Sequence, residues 1–204
     1  MCEAADLISV GPLPITNMVK YREKMPMKTI RLFSLTAAVL WLTASVAYAA
    51  STSIGANISR GSSDSMAYSI NIGQKYEPWF ESSLFSFTPL VELGGHAWVP
   101  DDSDADTVWG AFLAPGLRMS LFTDSPIQPY IEGSIGGTIN SKKKMDDRKM
   151  GSHALFRTRG SVGVSFGEDY RHRIQGDYIN YSTWGLTDND AGYNTYGVSY
   201  GFSF

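Results

Sequence analysis

The chain has 204 residues, of which 43% are hydrophobic, 13% are aromatic and only 18% are charged. A helical membrane protein with several spans needs several apolar stretches of about 20 residues, and this sequence has a single candidate, near its start. The net charge of −3, with no dominant basic stripe, argues against nucleic-acid binding. The 20 glycines, 11 tyrosines and 10 phenylalanines favour β-structure with tight turns over long helices.

Residues 28–49 have the pattern of an export signal. Lys28 and Arg31 lead into an apolar run over residues 32–46, and Ala47-Tyr48-Ala49 supplies a small-residue cleavage site. At about 15 residues the apolar run is short for a retained membrane anchor, which is the alternative. We therefore expect residues 27–49 to be a cleavable signal peptide that is cut after Ala49.

The signal separates an N-terminal extension from the mature domain. Residues 1–26 carry no folding pattern, and Met25 or Met27 would be a more usual translation start, so we interpret residues 1–26 as a non-native or disordered extension. Residues 50–204 form the mature domain. The only cysteine, Cys2, precedes the expected cut, so the mature domain has neither a disulfide nor a thiolate nucleophile.

The last strand of the mature domain alternates between large and small side chains. The large ones are Tyr196, Val198, Tyr200, Phe202 and Phe204, and the small ones are Gly197, Ser199, Gly201 and Ser203. A soluble sandwich would bury the aromatic face, whereas a membrane barrel turns it toward lipid and fills its interior with the small residues. A terminal strand that ends on Phe204 resembles the signal that the barrel-assembly machinery recognises in bacterial outer-membrane barrels.

Seven earlier runs repeat this alternation, which makes eight in all. Their predicted outward residues include Ile54, Ile58, Ile70, Ile72, Leu113, Ile131, Ile135 and Val162. Eight strands of about 10 residues, with their turns, suit the smallest outer-membrane barrels. The sequence therefore predicts an all-β fold, an eight-stranded antiparallel up-and-down transmembrane β-barrel in the bacterial outer membrane. A secreted lipocalin-like barrel is the soluble alternative.

The connections alternate in length as such a barrel requires. Short turns at 123–126 and 167–169 would face the periplasm, and longer polar loops at 99–107, 140–152 and 183–193 would face outward. Aromatic residues flank both ends and suit two membrane-boundary girdles. The outer girdle would contain Trp98, Trp109 and Trp184, and the periplasmic one Tyr76, Trp79 and Phe80.

Four charged residues fall on inward faces of their strands, namely Glu92, Glu132, Arg157 and Arg159. Because an isolated buried charge is costly, we expect them to pair or to hydrogen-bond as a structural plug. A catalytic carboxylate inside the barrel is the alternative interpretation. A wide channel is not expected, since side chains fill the interior of an eight-stranded barrel.

Two outer loops carry opposite charge. Asp102, Asp104 and Asp106 begin like a calcium loop, but Thr107 and Leu113 replace its glycine and glutamate, which leaves an acidic surface loop. The other loop has a basic cluster that is either simply solvated or in contact with lipopolysaccharide phosphates. This cluster consists of Lys142, Lys143, Lys144, Arg148 and Lys149. The three histidines, His96, His153 and His172, lack metal-ligand spacing, so we expect no metal site, and no motif indicates an organic cofactor.

One stretch of sequence points to a family. Residues 178–185 (Tyr-Ile-Asn-Tyr-Ser-Thr-Trp-Gly), with 129–132, 156–166 and 193–196, resemble the lipid A 3-O-deacylase (PagL-like) family of outer-membrane barrels. The resemblance covers most of residues 125–204. It implies an esterase site on the outside of the barrel that removes an acyl chain from lipopolysaccharide. In that family a His-x-Ser pair on the seventh strand supplies base and nucleophile, and a glutamate on the eighth strand orients the histidine.

Carried over residue by residue, the resemblance places the nucleophile on Ser182. Asn180 occupies the position of the base, Asn194 that of the orienting acid, and Asp190 that of the oxyanion-loop asparagine, while Gly192 matches the family glycine. An amide cannot take a proton from serine at neutral pH, and an acid at the oxyanion position opposes developing negative charge.

Two hypotheses therefore remain open. The first is hydrolysis of a lipid A acyl ester by Ser182 with an unrecognised base. The second is a non-enzymatic structural or surface-interaction barrel that has kept the family scaffold. In either case we expect lipopolysaccharide and outer-membrane lipids as partners.

Overall fold

The computed structural model describes residues 50–62, 64–102, 104–145, 148–185 and 192–204. The expected N-terminal extension (1–26) and signal peptide (27–49) lie outside these residues, and so does Asp190. In the described part of the chain, no helix has the length and apolar character needed to cross a membrane.

Eight long strands run through the described residues. They are β1 (Ser51–Gly61), β2 (Ser65–Lys75), β3 (Phe85–Pro100), β4 (Val108–Leu121), β5 (Ile127–Asn140), β6 (Ala154–Phe166), β7 (His172–Ser182) and β8 (Tyr193–Ser203). The smaller elements are the strand Phe80–Glu81, which pairs with β3, a hairpin of Lys144–Met145 with Arg148–Lys149, and a 3-10 turn at Glu168–Tyr170.

The eight strands form a closed antiparallel ring. Each strand pairs with its neighbours in sequence, and β1 also pairs with β8, so that every long strand has two partners. Closure removes the unpaired edges that an open sheet would expose. The predicted all-β, eight-stranded up-and-down barrel is confirmed.

The side chains alternate as the sequence pattern predicts. Ile70 and Val162 point outward and are 71% and 64% exposed, whereas Ser53 and Ser165 point inward and are each 2% exposed. A soluble barrel would bury its apolar face, so this exterior is that of a barrel that faces lipid. Connections at 122–126 and 167–171 are short and those at 101–107, 141–153 and 183–192 are longer, as predicted, whereas the periplasmic connection at 76–84 is long and the outer one at 62–64 is short.

A network of charges fills one half of the interior. Arg118 donates to Glu132 Oε2 from Nε at 2.8 Å and from Nη2 at 2.6 Å. Arg159 bonds the same glutamate and also Glu92, whose Oε2 lies 2.9 Å from its Nη2. Asp177 extends the network by accepting from Gln175 Nε2 at 2.7 Å. The predicted inward plug is therefore present.

Arg157 differs from the other three predicted interior charges. It is buried, but no described carboxylate pairs with it, and its guanidinium lies over the Phe112 ring at 4.1 Å from the centroid. A cation–π contact thus takes the place of the expected pairing in the described part of the barrel.

The other half of the interior is aromatic, and it corrects one prediction. Trp98 is fully buried inside the barrel, with ring centroids 4.6 Å from His96 and 4.8 Å from both Tyr181 and Tyr193. The prediction that Trp98 belongs to the outer girdle was wrong. Trp98 is near a loop, but it is an even number of residues from the inward Glu92 on the same strand and therefore also points inward. Trp109 and Trp184 are exposed, as expected for the girdle.

Candidate functional site

The family resemblance directs attention to the outer end of β7. Along this strand Arg173, Gln175, Asp177, Ile179 and Tyr181 are buried in the barrel, so the alternate residues face outward. Asn180 and Ser182 are on this outer face, two residues apart, and both are half-buried. The predicted shared face of these two residues follows from the period of a β-strand.

The structure brings Asn180 and Asn194 together. They are directly opposite each other in the register of β7 and β8, and Asn180 Nδ2 donates to Asn194 Oδ1 at 2.6 Å. The Tyr178 hydroxyl donates to the same oxygen at 3.2 Å. The two residues that the resemblance assigns to base and orienting acid are therefore within hydrogen-bond distance of each other, and both are amides.

Ser182 ends β7 beside an aromatic stack. It pairs in register with Phe156 of β6, whose ring stacks on Trp184 with centroids 4.4 Å apart. Trp184 and Gly185 both have positive φ angles, of 51° and 76°, so the chain turns sharply straight after Ser182. Among the described residues, the Ser182 hydroxyl has no hydrogen-bond partner.

No described histidine lies at this site. His96 is inside the barrel, with Nε2 2.9 Å from Asn140 Oδ1. His153 Nδ1 is 2.8 Å from the Asn140 carbonyl, and His172, at the opposite end of β7, is 2.7 Å from the Tyr200 hydroxyl. The described residues also contain no group of three or more acidic, histidine or cysteine side chains that could hold a metal ion.

An apolar groove of about 690 Å³ lies on the outer surface, and its lining includes Thr183, the residue after Ser182. One row of register partners in its lining runs from Phe156 through Gly137 to Leu113, and Ser182 pairs with Phe156 just outside the lining. The next row contains Ala154, Ile139 and Ala111. A Cβ added at Gly137 would meet nothing within 4 Å, which shows how open the middle of the groove is. We name this feature the lateral groove.

Sequence reasoning missed the lateral groove. Small outward residues stand in two adjacent rows on three neighbouring strands, as Ala111, Gly137 and Ala154, between bulkier residues. That signal becomes visible only when the strand register is known, because alternation assigns each residue to a face without giving its height.

The comparison with known families decides the assignment. The family model for lipid A 3-O-deacylase (PagL) matches residues 64–203, which is more than half of the chain. The chain belongs to this family. The resemblance drawn from residues 178–185 is thereby confirmed, and the protein is a bacterial outer-membrane β-barrel.

Three solved structures are similar to this chain, and the first of them supports the fold. The crystal structure of the outer membrane enzyme PagL is 22% identical to this family member, with a TM-score of 0.66, and the match covers 74% of this chain and 98% of that one. Neisserial surface protein A (NspA) matches at 14% identity and a TM-score of 0.47, over 76% and 96% of the two chains. The attachment invasion locus protein Ail of Yersinia pestis matches at 14% identity and a TM-score of 0.42, over 76% and 97%. No curated protein sequence matches significantly.

Proposed function

We propose that this family member binds lipid A on its outer surface without cleaving it by the Ser–His–Glu mechanism. The observation that carries the proposal is the Asn180–Asn194 amide pair at the positions of base and orienting acid. A neutral amide has no basic lone pair that can accept the serine proton at neutral pH. Without that proton transfer, the Ser182 hydroxyl is a weak nucleophile.

The lateral groove supports the lipid-binding half of the proposal. Its walls are apolar, it lies on the lipid-facing surface, and its lining includes Phe156, the register partner of Ser182. An acyl chain of lipid A placed there would leave its ester end beside Ser182. The expected partners, lipopolysaccharide and outer-membrane lipids, belong to this proposal. So does recognition of the Phe204 strand by the barrel-assembly machinery.

The test is to rebuild the missing chemistry on the same scaffold. The chain is expressed in a bacterial host with unmodified lipid A, and the lipid A is analysed by mass spectrometry. We expect the wild type to leave lipid A unchanged. The variant Asn180→His/Asp190→Asn/Asn194→Glu should remove one acyl chain, at a rate about 10²–10⁴-fold above wild type, which is the usual contribution of a general base.

Two controls make this test decisive. Adding Ser182→Ala to the rebuilt variant should abolish the gain, and outer-membrane fractionation shows that every variant is inserted. A rebuilt variant that is inserted but inactive would contradict the inference that only the base, acid and oxyanion groups are missing.

The enzymatic alternative rests on a specific observation. The Ser182 hydroxyl has no hydrogen-bond partner among the described residues, and Ser182 is the register partner of Phe156, which lines the lateral groove. If the wild type removes an acyl chain and Ser182→Ala does not, the chain is a hydrolase with an unrecognised base, and our proposal is wrong. If lipid A neither changes nor binds, the structural or surface-interaction barrel is the better description.

A further inference from the structure

A small cavity lies inside the barrel at its periplasmic end, where Lys75 ends β2 and Arg173 is the second residue of β7. Its volume of about 10 Å³ gives room for one particle about the size of a water molecule. We name it the mouth cavity. The charged residues that line it are Lys75, Glu92, Arg118, Glu132 and Arg173.

The charges of the mouth cavity are not equally paired. Its two carboxylates, Glu92 and Glu132, are both bonded by Arg159, which lies outside the lining. The side chains of Lys75 and Arg173 have neither an ion-pair partner nor a hydrogen-bond partner among the residues that the structure describes. Arg173 is nevertheless buried, with only 7% of its surface exposed. The carboxylates of the cavity are therefore neutralised by other arginines, and these two cations have no counter-charge beside them.

Two glycines allow Arg173 to lie flat against the neighbouring strands. Arg173 pairs in register with Gly201 of β8, which pairs in turn with Gly55 of β1. A Cβ added at Gly201 would collide with Arg173 Nε, and a Cβ added at Gly55 would lie 3.2 Å from Nη2. The guanidinium thus extends across both strands inside the barrel, and a side chain at Gly201 would displace it. Its position at the cavity depends on this row of small residues.

The chemistry of the mouth cavity favours a small anion over other occupants. A guanidinium stays charged at any physiological pH, and a buried charge without a counter-charge is costly. A water molecule would accept hydrogen bonds from the two cations but would not compensate their charge. A phosphate or carboxylate group has several heavy atoms and exceeds the volume of the cavity, whereas a halide ion is a single particle.

We propose that Arg173 and Lys75 bind one chloride ion in the mouth cavity. The guanidinium and ammonium N–H groups donate to the ion, and such charge-assisted hydrogen bonds are stronger than neutral ones. The ion supplies the counter-charge that Arg173 lacks among the described residues, so it stabilises the folded barrel. This site is inside the barrel and does not depend on the proposed lipid A binding at the outer surface.

The first measurement is the melting temperature of the full chain, purified in detergent, as sodium chloride replaces sodium gluconate at constant ionic strength. Gluconate is too large for the cavity, so only chloride can stabilise the barrel by binding there. Each tenfold increase in chloride above its dissociation constant should raise the melting temperature by about 3–6 °C. The variant Lys75→Gln/Arg173→Gln should lose this response, because it keeps polar side chains at both positions but removes their charge.

A matched control is available at the same end of the barrel. Arg171→Gln removes a half-exposed cation that pairs with Asp169 at 3.5 Å and does not line the cavity, so it should keep the chloride response. A melting temperature of the wild type that is the same in chloride and gluconate would overturn the proposal. An equal response in the wild type and the double variant would do the same, since it would show a general salt effect.

The second measurement needs no variant and therefore does not depend on whether one folds. Crystals of the wild-type chain grown in sodium bromide should show an anomalous peak between the Arg173 guanidinium and the Lys75 ammonium, because bromide is a heavier halide of the same charge. Bromide that is found only on the outer surface, or not at all, would overturn the proposal.

Discussion

At the scale of single residues, the two residues that the resemblance assigns to base and orienting acid are amides that meet across two strands. Asn180 and Asn194 are cross-strand partners, and Ser182 shares the outer face with Asn180. The shared face follows from the period of the strand, and the meeting of Asn180 and Asn194 is what the resemblance implies. The sequence could not predict that the two amides bond each other, since that depends on rotamers and on the Tyr178 hydroxyl.

Residue-scale arguments also apply to the interior, where Glu132 is the centre of the charge network. It accepts from both Arg118 and Arg159 and is buried. Glu132→Gln would leave two buried guanidinium groups short of a counter-charge. We expect this variant to lose about 3–5 kcal/mol of unfolding free energy, measured by urea titration of the barrel in detergent.

Glu77→Gln is the control for this measurement, because Glu77 is exposed in a periplasmic connection. It should change the unfolding free energy by less than about 0.5 kcal/mol. Equal stability of Glu132→Gln and Glu77→Gln would mean that the interior network contributes nothing beyond filling space.

At the scale of strands, the outer surface is organised in rows across neighbouring strands. Alternation predicts which residues face lipid, as Ile70 and Val162 do, whereas His96, Ala97 and Trp98 at the outer end of β3 are all buried. Alternation does not give the height of a residue, which is set by the register of each strand pair. Ser182, Phe156, Gly137 and Leu113 form one row only because three separate registers agree. The lateral groove was therefore beyond sequence reasoning, whereas the barrel was not.

The row gives a test of the groove itself. A leucine at Gly137 would occupy open space in the middle of the lateral groove, so the barrel should still fold. Because each methylene kept out of an apolar contact costs about 0.8 kcal/mol, we expect lipid A affinity to fall about tenfold. Native mass spectrometry with dephosphorylated lipid A isolates this apolar contribution.

Gly160 provides the matched control for Gly137. A Cβ at Gly160 would also meet nothing within 4 Å, yet Gly160 is on β6 outside the groove lining. Gly160→Leu should therefore fold and bind lipid A like the wild type. Equal loss of affinity in both variants would point to a general effect of an added leucine on the barrel surface.

At the scale of the whole molecule, the interior is closed at two levels. The charge network around Glu132 and Arg159 fills one level, and the aromatic cluster of His96, Trp98 and Tyr181 fills the other. The sequence predicted the first level from inward charges. It missed the second because Trp98 is next to a loop and so resembles a girdle residue. Its inward direction follows only when the alternation of faces is counted along the strand from Glu92.

Closure at two levels makes a prediction about ion conduction. The chain in a planar lipid bilayer should pass no steady current, since side chains fill an eight-stranded barrel. Trp98→Ala removes the largest side chain of the aromatic level but leaves the charge network intact, so it should also stay closed.

Current recordings beside an open porin in the same bilayer provide the comparison. A steady conductance in Trp98→Ala alone would show that the aromatic cluster is the only barrier. A steady conductance in the wild type would contradict the prediction that both proteins stay closed. Either way the lipid-facing site on the outer surface is physically separate from the interior, because residues that face outward on β7 alternate with those that fill the barrel.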